Sequence, residues 1–428
     1  MHKLFWSLLL VIGLIGSAYK SYKFINFYLL YPIVFTLEKV EDRNVSFPAV
    51  SICNFNRIKL ECIDPGELNS INKRAITGTP LLLSERRHLF QCGNIQSSKR
   101  SKREKDRQRF LANFYEMDEE TRRINGHEPF EFIKSCFFNR KICPENLTTS
   151  FENLRYGNCV TFNKQTREME PLYVSHIGPD NGLVLDLYLE TSFYSPTTES
   201  FGARVVIHDP NETPSPEEQG FNVGPGYEVS VSLRQSVMYR LPTPFRDHCV
   251  EYEKREGSSV RSQKDCVRTC IQTENFAKCG CMDQTLSVMN NLKHCNLTNQ
   301  TQMCCLNEVL EKMSNSGPTC DCPQPCRSIS YNEILSRAIF PSKARILKEP
   351  FTFQYFREDR IRLNIFYSSL ERTVYKQKAK FEGFELLSFV GCELGLWLGL
   401  SLLGMFEIFE KLPLIVRRMF FGRTVQPK

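Results

Sequence analysis

The sequence is short of what an enzyme would need. Its 428 residues hold no nucleophile–base constellation and no metal-ligand cluster apart from the cysteines themselves, so neither catalysis nor a bound metal or cofactor is expected. Charge of one sign is scarce too. A net charge of +7 is mild for this length, and lysine and arginine gather in one run and at the C-terminus, which argues against a nucleic-acid partner.

Cysteine, apolar runs and sugar acceptors are what the chain does have. Its 18 cysteines point to an oxidising compartment. Asn44-Val-Ser, Asn146-Leu-Thr, Asn211-Glu-Thr, Asn296-Leu-Thr and Asn299-Gln-Thr are acceptors for N-linked sugar. They share an interval with most of the cysteines, which places that interval outside the cell.

The segment from Phe384 to Glu410 is apolar and long enough for a membrane crossing, which takes about 20 helical residues. Gly391, Gly395 and Gly399 recur every fourth residue and predict one helical face along which other helices pack closely. Glu393, Ser401, Glu407 and Glu410 should face protein or water, because a carboxylate at a helix centre in lipid costs about 3 kcal/mol. A glycine seam with carboxylates reads as a pore lining; a single-pass anchor whose glycines pack a dimer is the plainer alternative.

Residues Met1 to Ala18 have the basic start, apolar middle and small-residue end of a cleaved signal peptide. Apolar and aromatic character continues from Phe24 to Leu30, however, as in a tilted span with interfacial aromatics. Periodicity leaves both open. If residues 5–28 span, two crossings put both termini on one side, and Lys411, Arg417, Arg418 and Arg423 mark it as cytoplasmic.

Between the apolar ends, alternation predicts strands over Leu183–Leu189, Ala203–His208 and Tyr227–Leu233, and a long strand over Arg360–Leu370. Gly220–Gly226 reads as a turn-rich connector. Ser262 to Asp265 has the form of a helix cap, which sets Cys266 and Cys270 on one helical face. Cys320 and Cys322 share a face of an extended strand. Laid antiparallel, the two elements give nested bridges Cys266–Cys322 and Cys270–Cys320. Zinc is the weaker reading of these cysteines in a glycosylated ectodomain. The basic run over residues 98–109 is by default a solvated face. Within it, Arg100, Lys102 and Arg103 also fit the dibasic site of a furin-like protease.

Phe47-Pro-Ala-Val-Ser-Ile-Cys-Asn-Phe-Asn56 closely resembles the signature that follows the first span in the epithelial sodium channel/degenerin family, which includes the acid-sensing ion channels. Lys3–Trp6, Ser135–Cys143, Arg155–Asn163, Gly220–Gly226, Arg240–Phe245, Cys326–Tyr331 and Ala338–Lys343 are similar as well, so the resemblance runs from Trp6 to Glu410. It implies a membrane protein in which two transmembrane helices, residues 1–28 and 384–412, flank a disulfide-rich α/β extracellular domain over 29–383. That domain would have a β-sheet palm, a helical finger and a thumb built on a cysteine ladder at 249–326. Residues 413–428 would be a short basic cytoplasmic tail, and three chains would enclose one pore.

The same resemblance assigns residues to roles. Gly399, Leu400 and Ser401 match the selectivity filter for Na⁺, and Ser388, Gly391, Gly395, Glu407 and Glu410 would line the pore. Tyr31 and Phe245 match an aromatic contact that couples the ectodomain to the pore. The implied disulfides are Cys53–Cys159, Cys136–Cys143, Cys249–Cys326, Cys279–Cys305 and Cys281–Cys295, beside the two nested bridges. One of Cys304 and Cys305 is left over, and Cys62 and Cys92 are extra and can bridge each other.

The expected function is a subunit of a trimeric, amiloride-sensitive, sodium-selective channel in the plasma membrane, as a homotrimer or with related subunits. Opening would follow an extracellular ligand such as a peptide, a mechanical stimulus, or no stimulus at all. Proton gating is not expected: Pro32 and Ile33 stand where acid-sensing channels carry histidines. Glu212 and Glu311 match carboxylates of their acidic pocket, while Asn211 and Asn307 replace others. The chain starts almost at the first helix, without the family's cytoplasmic His-Gly segment: either the sequence is truncated, its start is alternative, or this subunit works only beside others. Two rivals remain. Cleavage of residues 1–18 would leave a cysteine-rich surface or secreted binding protein, and an ATP-gated two-span trimer would want a lysine cluster for phosphates.

Overall fold

A computed structural model describes residues 2–59, 110, 113–115, 117–165, 171–195, 197–252, 260, 262–283, 286, 292–296, 299–316, 320–342, 357–401, 403–404, 406–407 and 409–413. Cys62, Cys92, Arg100, Lys102 and Arg103 lie outside them. The chain opens with α1 (His2–Tyr28), β1 (Ile33–Glu41), β2 (Val45–Ser46) and β3 (Ala49–Asn54). Then come α2 (Glu119–Asn125), α3 (Pro129–Phe132), β4 (Ile133–Phe138), β5 (Lys141–Ile142), β6 (Thr148–Asn153) and β7 (Gly157–Phe162). The central strands are β8 (Tyr173–Val174), β9 (Gly182–Tyr188), β10 (Ala203–His208), β11 (Phe221–Val223) and β12 (Tyr227–Tyr239). They are followed by α4 (Gln263–Cys279), α5 (Gln300–Ser316), β13 (Arg327–Ile339), β14 (Arg360–Tyr367), β15 (Glu371–Ala379) and α6 (Gly383–Leu398).

Two compact units result. One comprises Met1–Thr36, Arg240–Cys249 and Lys376–Lys428; the other comprises Leu37–Tyr239 and Val250–Tyr375.

The larger unit is built on two sheets. One contains the path β13-β12-β14-β9-β4-β5, and the other runs β11-β10-β3-β7-β6. Period-two burial explains the first: Leu183, Leu185 and Leu187 of β9 are wholly buried while Val184, Asp186 and Tyr188 are not. Ile361, Leu363 and Ile365 of β14 and Val231 and Leu233 of β12 join them in one core with Val50, Ile52, Phe162 and Val205 of the second sheet. Inward faces of two sheets thus close on each other. β12 is longer than alternation predicts. It pairs with β13 from Tyr227↔Ile339 to Tyr239↔Arg327 and runs parallel to β14 over Tyr227–Leu233. The expected connector at Gly220–Gly226 instead holds β11, which pairs with β10.

The signature stretch Phe47–Asn56 is core. Phe47, Ala49, Val50, Cys53 and Asn56 are all buried, and Cys53 faces Cys159 across β3 and β7, to which it is bonded.

In α4, the Ser262 hydroxyl accepts from the Asp265 N–H at 3.1 Å and Gly280 ends the helix in the left-handed region. Cys266–Cys322, Cys270–Cys320, Cys279–Cys305, Cys281–Cys295 and Cys136–Cys143 are all bonded. Cys249 and Cys326 are disulfide-bonded too. So is Cys304, which was expected to be left over if Cys305 took Cys279. Cys320 and Cys322 do not lie in a regular strand: the described residues there form only the isolated bridge Val250↔Pro325. The two bridges to α4 hold Cys320 and Cys322 without strand pairing.

Candidate functional site

The smaller unit carries the helix pair. α1 has 27 residues and is long and apolar enough to cross a membrane. It runs unbroken past Ala18 to Tyr28. Its leucines and isoleucines point outward; Gly13 and Ser17 are the buried positions.

The last apolar segment is not one helix, as its length suggested. A capping box at Glu382 and Glu385 starts α6, which stops after 16 residues at Leu398. Gly399 then takes φ +65°, and helix resumes among residues 403–413. Ser401 accepts from the Gly404 N–H at 3.0 Å and so caps the second piece. Gly399 is therefore a left-handed helix stop and not part of a packing face, because glycine alone adopts that backbone without strain. Gly399, Leu400 and Ser401 make up the break.

Two faces of α6 have different fates. Phe389, Glu393 and Trp397, spaced by four, face α1: Phe389 stacks on Phe24 at 3.8 Å, and the Trp397 ring meets Gly16. The Trp397 indole N–H donates to Glu393 Oε2 at 2.8 Å, which meets the expectation that this carboxylate finds protein. Ser388 and Gly391 lie on the open face, and a Cβ added at Gly391 would touch nothing within 4 Å. Gly395 is half-buried against Leu400 of its own chain. The glycine seam thus packs no helix within the described chain. Glu407 and Glu410 are exposed, and Glu407 lies 3.7 Å from the Lys411 ammonium.

Tyr31 and Phe245 come together edge to face, with ring centroids 5.7 Å apart. Gln377, absent from the sequence reading, organises the loop below Phe245. Its Oε1 accepts from the Leu241 N–H at 3.0 Å and its Nε2 donates to Asp247. Lys380 N–H donates to Pro32 O at 2.9 Å, and its ammonium lies over the Phe27 and Phe381 rings. A single buried glutamine leaves no periodic trace, so the pattern could not reveal it.

A second polar site, in the larger unit, also escaped the sequence. Asn56 Oδ1 accepts from the Ser195 N–H, so its amide nitrogen must donate, and His127 Nε2 is one of its acceptors at 2.9 Å. That leaves His127 Nδ1–H to donate to Glu190 at 2.8 Å, while Lys59 pairs with Glu190 at 3.0 Å. Burial pushes the Glu190 carboxyl up, but the hydrogen bonds from His127 and Lys59 outweigh it and hold the group below its ordinary value.

Glu212, matched to an acidic pocket, is half-buried and pushed up by burial, with Lys264 opposing and Asp209 and Asp265 reinforcing the shift. Glu311, the other match, is exposed on α5. Burial also raises Glu333 on β13 to about 6, against the pull of Arg204. The sugar acceptors Asn44, Asn146, Asn211, Asn296 and Asn299 are exposed.

Residues 1–410 match the family described as "Amiloride-sensitive sodium channel". Among curated proteins, the chain is 27% identical over 418 residues to Acid-sensing ion channel 4-B of Danio rerio, covering 95% of this chain and 70% of that one. It is 28% identical over 432 residues to Acid-sensing ion channel 1 of Gallus gallus, covering 96% and 78%. Against Degenerin del-1 of Caenorhabditis elegans it is 30% identical over 297 residues, covering 66% and 44%.

Proposed function

The chain belongs to the amiloride-sensitive sodium channel family, matched over residues 1–410, and from that premise we propose that it is one subunit of a trimeric, sodium-selective, amiloride-sensitive channel of the plasma membrane. Its relatives are ion channels and not enzymes. In this reading α1 and the broken segment 383–413 are the two crossings, both termini are cytoplasmic, and the disulfide-bonded larger unit is extracellular.

The break at Gly399-Leu400-Ser401 is the observation that carries the reading. Non-helical backbone at membrane depth is tolerated only where it is enclosed by protein or lines water, since an orphaned carbonyl in lipid costs several kcal/mol. Three such breaks around an axis would offer carbonyls and the Ser401 hydroxyl to replace part of the hydration shell of Na⁺. The open face with Ser388 and Gly391 would line the outer pore together with Gly395 beside the break, and Glu407 and Glu410 would form rings favouring cations. Tyr31 against Phe245 would carry ectodomain motion to α1. Pro32 and Ile33 in place of histidines, and Asn211 and Asn307 in place of carboxylates, favour a peptide, another extracellular ligand, force or constitutive opening over protons.

Expression in oocytes, alone and with related subunits, tests this. The expected result is an inward current that disappears on replacing Na⁺ and is blocked by amiloride. A surface-delivered chain that passes no current in any combination would favour the cysteine-rich binding protein instead.

A further inference from the structure

α6 ends one residue beyond Trp397, and the break begins immediately after. Among the described residues, the glycines of that end of α6 meet little. Gly391 and Gly399 have nothing within 4 Å of an added Cβ, and Gly395 meets only the Leu400 carbonyl at 3.6 Å. α1, by contrast, opposes the turn with two glycines. A Cβ on Gly13 would come 2.7 Å from the Trp397 carbonyl oxygen and 3.3 Å from Leu398 Cδ2. A Cβ on Gly16 would come 2.8 Å from the Trp397 ring carbons Cε3 and Cζ3. Real Cβ atoms do not come so close, so either substitution must displace something. The ring is fixed from the other side by its hydrogen bond to Glu393 at 2.8 Å.

We propose that Gly13 and Gly16 form a seat on α1 for Trp397, and that this seat sets the position of Gly399-Leu400-Ser401, making Trp397 a positioning residue for ion selectivity. The inference rests on the channel reading. The two glycines play different parts: Gly13 admits the backbone of the last helical turn, and Gly16 admits the ring. Removing the ring therefore makes room beside Gly16 but not beside Gly13. Glu393 serves as the acceptor that keeps the indole from rotating out of the seat, a task glutamine can also perform and leucine cannot.

The test uses the full chain, expressed with whichever subunits give current, with surface delivery measured in parallel. Gly16→Val should shift the Na⁺/K⁺ permeability ratio, read from the reversal potential, by about threefold or more, and so should Trp397→Ala; the double variant should go no further than Trp397→Ala alone, because both act through the ring. Gly13→Val should shift the ratio as well, and further still when Trp397→Ala is added. Glu393→Gln should keep the wild-type ratio, whereas Glu393→Leu should not. If the glycine variants or Trp397→Ala reach the surface with the wild-type ratio, or if Gly13→Val and Gly16→Val combine with Trp397→Ala in the same way, the proposal is overturned. Should Gly16→Val not reach the surface, Gly16→Ala is read in the same way.

A second measurement needs no current. The chain has two tryptophans, so Trp6→Phe leaves Trp397 as the sole emitter in purified protein. Gly16→Val in that background should shift its emission and raise its quenching by acrylamide; unchanged emission removes the seat. A shifted emission without any wild-type current would remove the channel reading and keep the seat.

Discussion

Glu333 and Glu190 show how two carboxylates in one unit answer to pH with opposite sign. Burial raises Glu333 to about 6, from 4.5. The folded state therefore holds its proton more tightly than the unfolded one, so this contribution is full below pH 4.5 and is lost as pH rises through about 6. Glu333→Gln, neutral throughout, should raise the unfolding temperature of the purified full chain at pH 7.4 and leave it unchanged at pH 4.5. An equal shift at both values would mean that burial does not act on the charge. Glu190 is held low, so its contribution is present above its unfolded pKa and lost as pH falls through the folded one. Lys59→Met strands that carboxylate at 9% side-chain exposure and should cost about 3 kcal/mol in a denaturant titration at neutral pH. A cost within error of zero would mean that His127 alone suffices.

At this scale the sequence was least legible. Tyr31 and Phe245 could be paired by resemblance and do touch, but Lys59, His127, Glu190 and Gln377 are 50 or more residues from at least one partner and follow no repeat. Nothing local marks a buried hydrogen-bonded side chain. Gly13 and Gly16 likewise gave no sign, since the packing fault they avoid exists only once Trp397 is in place.

At the scale of elements, period two found the strands because Leu183, Leu185 and Leu187 must all face one core. The cap at Ser262 found α4 because its hydroxyl satisfies a donor that the helix cannot. The break in the last segment was hidden by glycine's double use: spacing by four looked like a packing seam, whereas Gly399 is there for its positive φ. Gly399→Ala forces an L side chain into the left-handed region at about 1 kcal/mol or more. It should leave surface delivery intact and lower the current severalfold in paired biotinylation and recording. Full current would place the break away from the conduction path. Ser388→Phe, on the open face of the helix, should give a standing current without stimulus. A silent variant at the surface would count against the helical register used here.

For the whole molecule, two units divide the labour that composition had suggested. All cysteines but Cys249 and Cys392, and all five sugar acceptors, fall in the larger one, and the apolar helices in the smaller. Disulfides on α4 stand in for regular strand pairing at Cys320 and Cys322, a substitution that an oxidising compartment permits. On the proposed function, ions are chosen at the break between the two helical pieces. Bi-ionic recording of Ser401→Ala against wild type, in the subunit combination that conducts, tests this directly. K⁺ permeability relative to Na⁺ should rise by about threefold or more while current persists; an unchanged ratio at wild-type current would mean that ions are selected elsewhere.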